Sequence, residues 1–164
     1  MPVLSEAVPG DIPDLCELLG LLFAQEAEFH PDKAAQERGL TMILANPAVG
    51  RIYVLREKGR VIGMANLLYT VSTALGARVA LLEDVVIAPP YRHKGLGGML
   101  LEHLKEEAAR DGCRRITLLT DADNRAGRQF YARHGFSESG MLPLRFAVIS
   151  KGGVSQGQGS ITSG

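Results

Sequence analysis

Leu82-Glu83-Asp84-Val85-Val86-Ile87-Ala88-Pro89-Pro90-Tyr91-Arg92-His93-Lys94-Gly95-Leu96-Gly97-Gly98 is the stretch on which the fold turns. Its first half continues a run that begins at Arg78 and is apolar on both faces except at the two acids, the pattern of a central strand covered on both sides. Its second half opens a helix from Gly95 to Arg110, in which Leu96, Met99, Leu100, Leu104 and Ala108 recur at helical spacing. A strand that feeds a helix through a basic, glycine-rich loop sets free backbone N–H groups and the positive end of a helix dipole beside Arg92, His93 and Lys94. Glycine leaves that backbone open to close approach, so Gly95, Gly97 and Gly98 favour a bound anion, a polyphosphate above all. A tight turn whose glycines serve only packing is the alternative.

Outward from this core, Pro2 to Ala7 reads as a first strand, and Pro9-Gly10-Asp11 as a turn with Asp11 as N-cap. The following helix carries Ile12, Leu15, Leu18, Leu19, Leu22 and Phe23, and a second, from about Lys33 to Leu44, stops at Asn46-Pro47. Arg51 to Glu57 and Val61 to Thr70 are strand-like and joined by Lys58-Gly59-Arg60, a hairpin connection. Beyond the central helix, Ile116 to Thr120 is a short strand and Asn124 caps a helix from Arg125 to His134 that ends at Gly135. Met141 to Ile149 reads as a last strand around Pro143. The order predicts an α+β (mixed α/β) fold with helices on both faces of a sheet over residues 1–150, and a mobile Gly/Ser-rich tail over 151–164.

Eighteen basic residues balance eighteen acidic ones, so nothing overall points to nucleic acid or an anionic membrane. Cys16 and Cys113 form no C-x-x-C pair, which argues against a disulfide framework or zinc knuckle and fits reduced thiols in a cytoplasm. The longest apolar run, Leu15 to Ala24, is broken by Glu17 and too short to span a bilayer. His103 has no second ligand at metal spacing, and no metal is expected.

Which polyphosphate fits is narrowed by spacing. No Gly-x-x-x-x-Gly-Lys-Ser/Thr occurs, which excludes a P-loop, and Leu100 stands where a dinucleotide fingerprint needs its third small residue. Arg92-x-x-Gly95-x-Gly97 resembles instead the Arg/Gln-x-x-Gly-x-Gly/Ala signature of the GNAT acetyltransferases. Leu82 to Arg92 is similar, without a gap, to the segment before that loop in polyamine acetyltransferases. Asn124-Arg125-x-x-x-x-Phe130-Tyr131-x-x-x-Gly135-Phe136 resembles the family's second signature, in which an asparagine and a tyrosine face the cofactor.

The resemblance implies a central, mostly antiparallel twisted sheet and acetyl-coenzyme A as cofactor, its pyrophosphate at Arg92 to Gly98 (Leu96 included) and its pantetheine arm along Val85, Val86 and Ile87. The Ile87 N–H would then face the thioester oxygen, a donor that strengthens as charge develops there. An amine nucleophile is mostly protonated at neutral pH and must lose a proton. Glu83, at the position of the base proposed for polyamine acetyltransferases, is the expected acceptor, with Asp84 on the opposite strand face as the fallback; pairing of either with Arg78 or Arg115 is the structural alternative. Tyr131 matches the tyrosine expected to protonate the departing thiolate, against plain packing beside Phe130, and Asn124 can cap a helix and touch the cofactor at once. Neither cysteine lies in a matching motif, so direct transfer is expected rather than an acetyl-cysteine. The expected acceptor is a primary amine of a small molecule or peptide, and family members often form homodimers. A sensor that binds acetyl-coenzyme A without turnover and a protein lysine or N-terminal acetyltransferase are the rival readings. Glu26, Glu28 and Asp32 either favour a cationic acceptor or form a solvated face.

Overall fold

The computed structural model describes residues 1–26 and 30–149. Glu28 and the tail from Lys151 lie outside the described residues. Among the described residues five strands, β1 (Val3–Glu6), β2 (Gly50–Glu57), β3 (Arg60–Ser72), β4 (Ala77–Ile87) and β5 (Ile116–Leu118), form one sheet in sequence order. The first three pairings are antiparallel and β4 with β5 is parallel. The described residues also hold four α-helices: α1 (Ile12–Gln25), α2 (Lys33–Ala45), α3 (Leu96–Arg110) and α4 (Arg125–Arg133).

Strand alternation divides the core into two layers. In β2, Ile52 and Val54 turn to one face, where Leu15, Leu18 and Leu19 of α1 and Leu40 of α2 cover them. Tyr53 and Leu55 turn to the other, against Leu100, Leu101 and Leu104 of α3, with Phe130 and Tyr131 of α4 packed at its margin. The expected sheet with helices on both faces is therefore present, and every strand-helix alternation read from periodicity falls where expected up to α4.

Two expectations are corrected. Asp11 does not cap α1 with its side chain. Its carboxylate accepts from Val8 N at 2.8 Å and from both terminal nitrogens of Arg56, tying the entry of α1 to β2. Arg56, distant in sequence but adjacent in the fold, outcompetes a local cap because a charge-assisted, two-pronged bond is stronger than a cap to a neutral N–H. Residues 141–149 form no strand, and all of them are exposed. Alternation in sequence reports an extended, two-faced segment, and a strand exists only where another chain segment accepts its ladder.

Candidate active site

β4 and β5 pair only from Ala80↔Ile116 to Leu82↔Leu118, after which β4 runs on to Ile87 paired with β3 only. The cause of the parting sits in β4 itself. Met64 pairs with Val86 and Asn66 with Glu83, so Ala65 of β3 faces two residues, Asp84 and Val85. This is a β-bulge, and Asp84 adopts φ +57°, a left-handed backbone uncommon outside glycine. A bulge bends its strand and leaves the extra residue out of the ladder. Past it, β4 swings clear of β5 and a cleft of about 1530 Å³ opens, larger than the ~300–1,000 Å³ of an ordinary small-ligand pocket.

The bulge also changes which side chains meet. Simple alternation puts Glu83 and Asp84 on opposite faces, yet both line the cleft. Asn66, 1% exposed in β3, donates from Nδ2 to Asp84 Oδ2 at 2.7 Å. Burial pushes the Asp84 carboxyl up to about 6, with the negative charges of Glu83 and Glu26 adding to it and the Asn66 bond opposing. Arg78, one of the two arginines named as alternative structural partners of the acids, lies over the Tyr69 ring at 4.7 Å. Glu26, at the end of α1, lines the cleft too, whereas Asp32 caps α2 by accepting from Ala35 N at 3.1 Å.

At the other end of the open stretch of β4, the chain turns through Pro89–Tyr91 into α3. Ala88 N donates to Ile62 O at 2.8 Å, and successive N–H groups of a strand alternate, so the Ile87 N–H points away from β3 toward the gap. The Ile87 carbonyl accepts from Arg92 Nε at 2.8 Å, a bond that folds the arginine back beside the strand end. Gly95 takes φ +76° as N-cap of α3, and the first helical bond is Met99 N to Gly95 O, leaving the N–H groups of Leu96, Gly97 and Gly98 without an intrahelical acceptor. Arg92, His93 and Gly95 to Gly98 line the cleft, as do Val85 and Val86; among the expected cofactor residues Lys94 alone does not, its ammonium lying 5.7 Å from the Tyr91 ring centre.

α4 supplies the far wall. Asn124 caps it, its side chain accepting from Gly127 N at 3.1 Å, and lines the cleft as well. Tyr131 also lines it, edge-on to Phe130 and Phe136, and burial pushes its phenol up to about 12, so the proton stays on oxygen throughout the neutral range. Gly97 and Gly98 have a second duty unreadable from the motif: a Cβ at Gly97 would touch the Phe130 ring at 3.4 Å, and one at Gly98 the His134 ring at 3.0 Å. Asn66 has no signal in the sequence, because its place beside Asp84 depends on a strand register that no local pattern encodes; the Arg92–Ile87 bond, between residues five apart, depends on the path of the Pro89–Tyr91 turn. Cys16 is buried in the layer opposite α3, and His103 stacks on Tyr53 edge-on at 5.5 Å.

The gap in the sheet thus has the basic, N–H-rich loop at one end and the carboxylates of Glu26, Glu83 and Asp84 at the other. Residues 13–136 match the acetyltransferase (GNAT) family. The chain is 34% identical over 120 residues to an uncharacterised N-acetyltransferase, YhfO, of Bacillus subtilis, covering 71% of this chain and 80% of that one. It is 28% identical over 141 residues to the aminoalkylphosphonate N-acetyltransferase of Salmonella typhimurium, covering 85% and 88%. A possible acetyltransferase from Clostridium difficile shares the fold, with TM-score 0.83 at 16% identity over 92% of this chain and 99% of that one. The chain belongs to the GNAT acetyltransferase family, and it is an acetyl-transferring enzyme, an N-acetyltransferase. Among the described residues no helix is long and apolar enough to cross a membrane.

Proposed function

We propose that the protein transfers the acetyl group of acetyl-coenzyme A directly to a primary amine of a small, cationic molecule. The observation that carries this reading is the division of charge along one cleft, Arg92 and the N-terminus of α3 at one end, Glu26, Glu83 and Asp84 at the other. From Glu83 to the loop is about 13 Å of extended strand, so the two ends serve different parts of the bound molecules. Acetyl-coenzyme A supplies the activated acetyl thioester. Its phosphates fit the open N–H groups of Leu96 to Gly98 together with Arg92 and His93, and its amide-bearing arm fits the unpaired edge of Val85 to Ile87. The Ile87 N–H is oriented to donate to a carbonyl oxygen lying in the gap.

Glu83 is the residue proposed to remove the amine proton, by its cleft position and its match to the polyamine-type segment. Asp84 is a second reading, favoured by three observations: it is half-buried, held by Asn66, and lifted to about 6, close to the working range of a general base. Tyr131, protonated at neutral pH and facing the same cleft, is proposed to return a proton to the departing thiolate. Thiol release from acetyl-coenzyme A is the test, across polyamines, aminoalkylphosphonates, amino acids, aminoglycosides and peptides. Turnover is expected with a small polycationic amine. Turnover on peptides alone would make the enzyme a protein modifier, and tight cofactor binding without turnover would make it a sensor.

A further inference from the structure

His134 caps the C-terminal end of α4 and lines the cleft. Gly98, Glu102 and Lys105, which share one face of α3 by their spacing, all meet it. Gly98 leaves room for the ring, since a Cβ there would lie 3.0 Å from both Cε1 and Nε2. Glu102 Oε1 lies 2.8 Å from Nδ1, and Lys105 Nζ donates to the His134 carbonyl at 2.9 Å and to Glu102 Oε1 at 3.1 Å. The Phe130 ring packs on it edge-on, the centroids 5.0 Å apart. An aliphatic side chain would join two helices as well, without a polar atom to satisfy.

The bond at Nδ1 decides what Nε2 can do. The His134 bond first and the Lys105 bond second hold the Glu102 carboxyl below its usual range, and a carboxylate has no hydrogen to give. Nδ1 therefore carries the hydrogen, and in the neutral ring Nε2 is a bare acceptor. Among the described residues nothing donates to it. It lies over Gly98, whose N–H is one of the open donors in the first turn of α3. Beside a phosphate held by those N–H groups a bare lone pair is repelled, and the repulsion goes when the ring takes a proton from solvent at Nε2. The imidazolium then donates at both nitrogens, to Glu102 and to a phosphate oxygen, with charge assistance in each bond. Glu102 favours that charge, whereas Lys105, Arg133 beside it and Arg92 and His93 of the loop oppose it, so the anion is what tips the balance.

We propose that His134 is a further cofactor-binding residue, its imidazole taking up a proton at Nε2 as the pyrophosphate of coenzyme A docks on the first turn of α3, with Glu102 holding the ring at Nδ1. The inference rests on the reading of the cleft as a coenzyme A site.

Calorimetry of coenzyme A binding to the full chain at about pH 8, in Tris and in Hepes, counts the protons taken up, because the two buffers release theirs with different heats. A free imidazole carries little charge at that pH. The wild type should take up more of a proton than His134→Gln, whose amide donates without gaining charge, and should bind roughly tenfold tighter. Dephospho-coenzyme A, which keeps the pyrophosphate and lacks the 3′-phosphate, should show the same difference. Glu102→Gln, which leaves Nδ1 an acceptor and removes the charge, should reduce the uptake. Nitrogen resonances of the wild-type ring give a readout that needs no variant, Nε2 changing from bare to protonated as coenzyme A is added. Equal uptake in wild type and His134→Gln, unchanged uptake in Glu102→Gln, or a ring that stays neutral overturns the proposal while coenzyme A binding stands. A difference that vanishes with dephospho-coenzyme A moves the contact to another phosphate and overturns it as well. No binding by the wild type brings down the coenzyme A reading of the cleft, and the proposal with it.

Discussion

Asp84 combines three properties that rarely meet in one side chain: a left-handed backbone, a buried amide donor and a place in the cleft. If it is the base, it must be ionised to act, so turnover should fall as the pH drops through about 6, the value to which burial lifts it. Asn66 donates to the charged form and therefore holds the carboxyl below where burial alone would leave it. Asn66→Ala should move the acidic limb of the pH–rate profile to higher pH, whereas a purely structural Asn66 would lower activity equally at all pH values. Glu83→Gln and Asp84→Asn, measured side by side, identify the acceptor: removing a general base costs about 10²-fold or more, and the other variant should lose far less. Tyr131→Phe deletes one hydroxyl and keeps the ring that packs on Phe130 and Phe136. Its defect should fall on turnover number and shrink with an acyl donor whose thiol is more acidic; an equal defect with both donors makes Tyr131 a packing residue.

At the scale of elements, α3 and α4 meet through glycine. Gly98 has no room for a Cβ without displacing the His134 ring at 3.0 Å, while Gly97 would make only an ordinary contact with Phe130. Gly98→Ala should therefore lower the melting temperature by shifting α4, and with it Asn124 and Tyr131. Gly97→Ala should melt close to the wild type yet weaken cofactor binding in calorimetry, if phosphate approaches that backbone; unchanged affinity would move the phosphate site away from the first turn of α3. Helix positions were legible in the sequence because a 3.6-residue apolar period needs no knowledge of partners, and Leu15, Leu18 and Leu19 or Leu100 and Leu104 announce their face unaided. The bulge was not legible. It exists only as a relation between Ala65 and the pair Asp84–Val85, and so the sequence put the two acids on opposite faces when the fold gathers them in one cleft. The stretch 141–149 shows the same limit, its alternation describing a surface and leaving its partner unstated.

For the whole molecule, one sheet serves two helical layers that share no side chain. Leu15 lies at the centre of one layer and Leu104 of the other, both fully buried. Leu15→Ala and Leu104→Ala should each cost about 2–5 kcal/mol, and their effects should add to within ~0.5 kcal/mol, since contact between the sites runs only through the sheet. Chemical denaturation of the single and double variants checks this; strong non-additivity would mean that the sheet transmits repacking from face to face. The parting of β4 from β5 has a different kind of consequence. β5 is held to the sheet by three register pairs, all of them with β4, the shortest ladder among the described residues. A ligand bridging the gap would act as a missing rung, and at a hundredfold excess over its dissociation constant it would add about 2.7 kcal/mol to the folded state. Resistance to proteolysis would then follow the supply of acetyl donor, and the enzyme would persist longest where its own reaction is best provisioned.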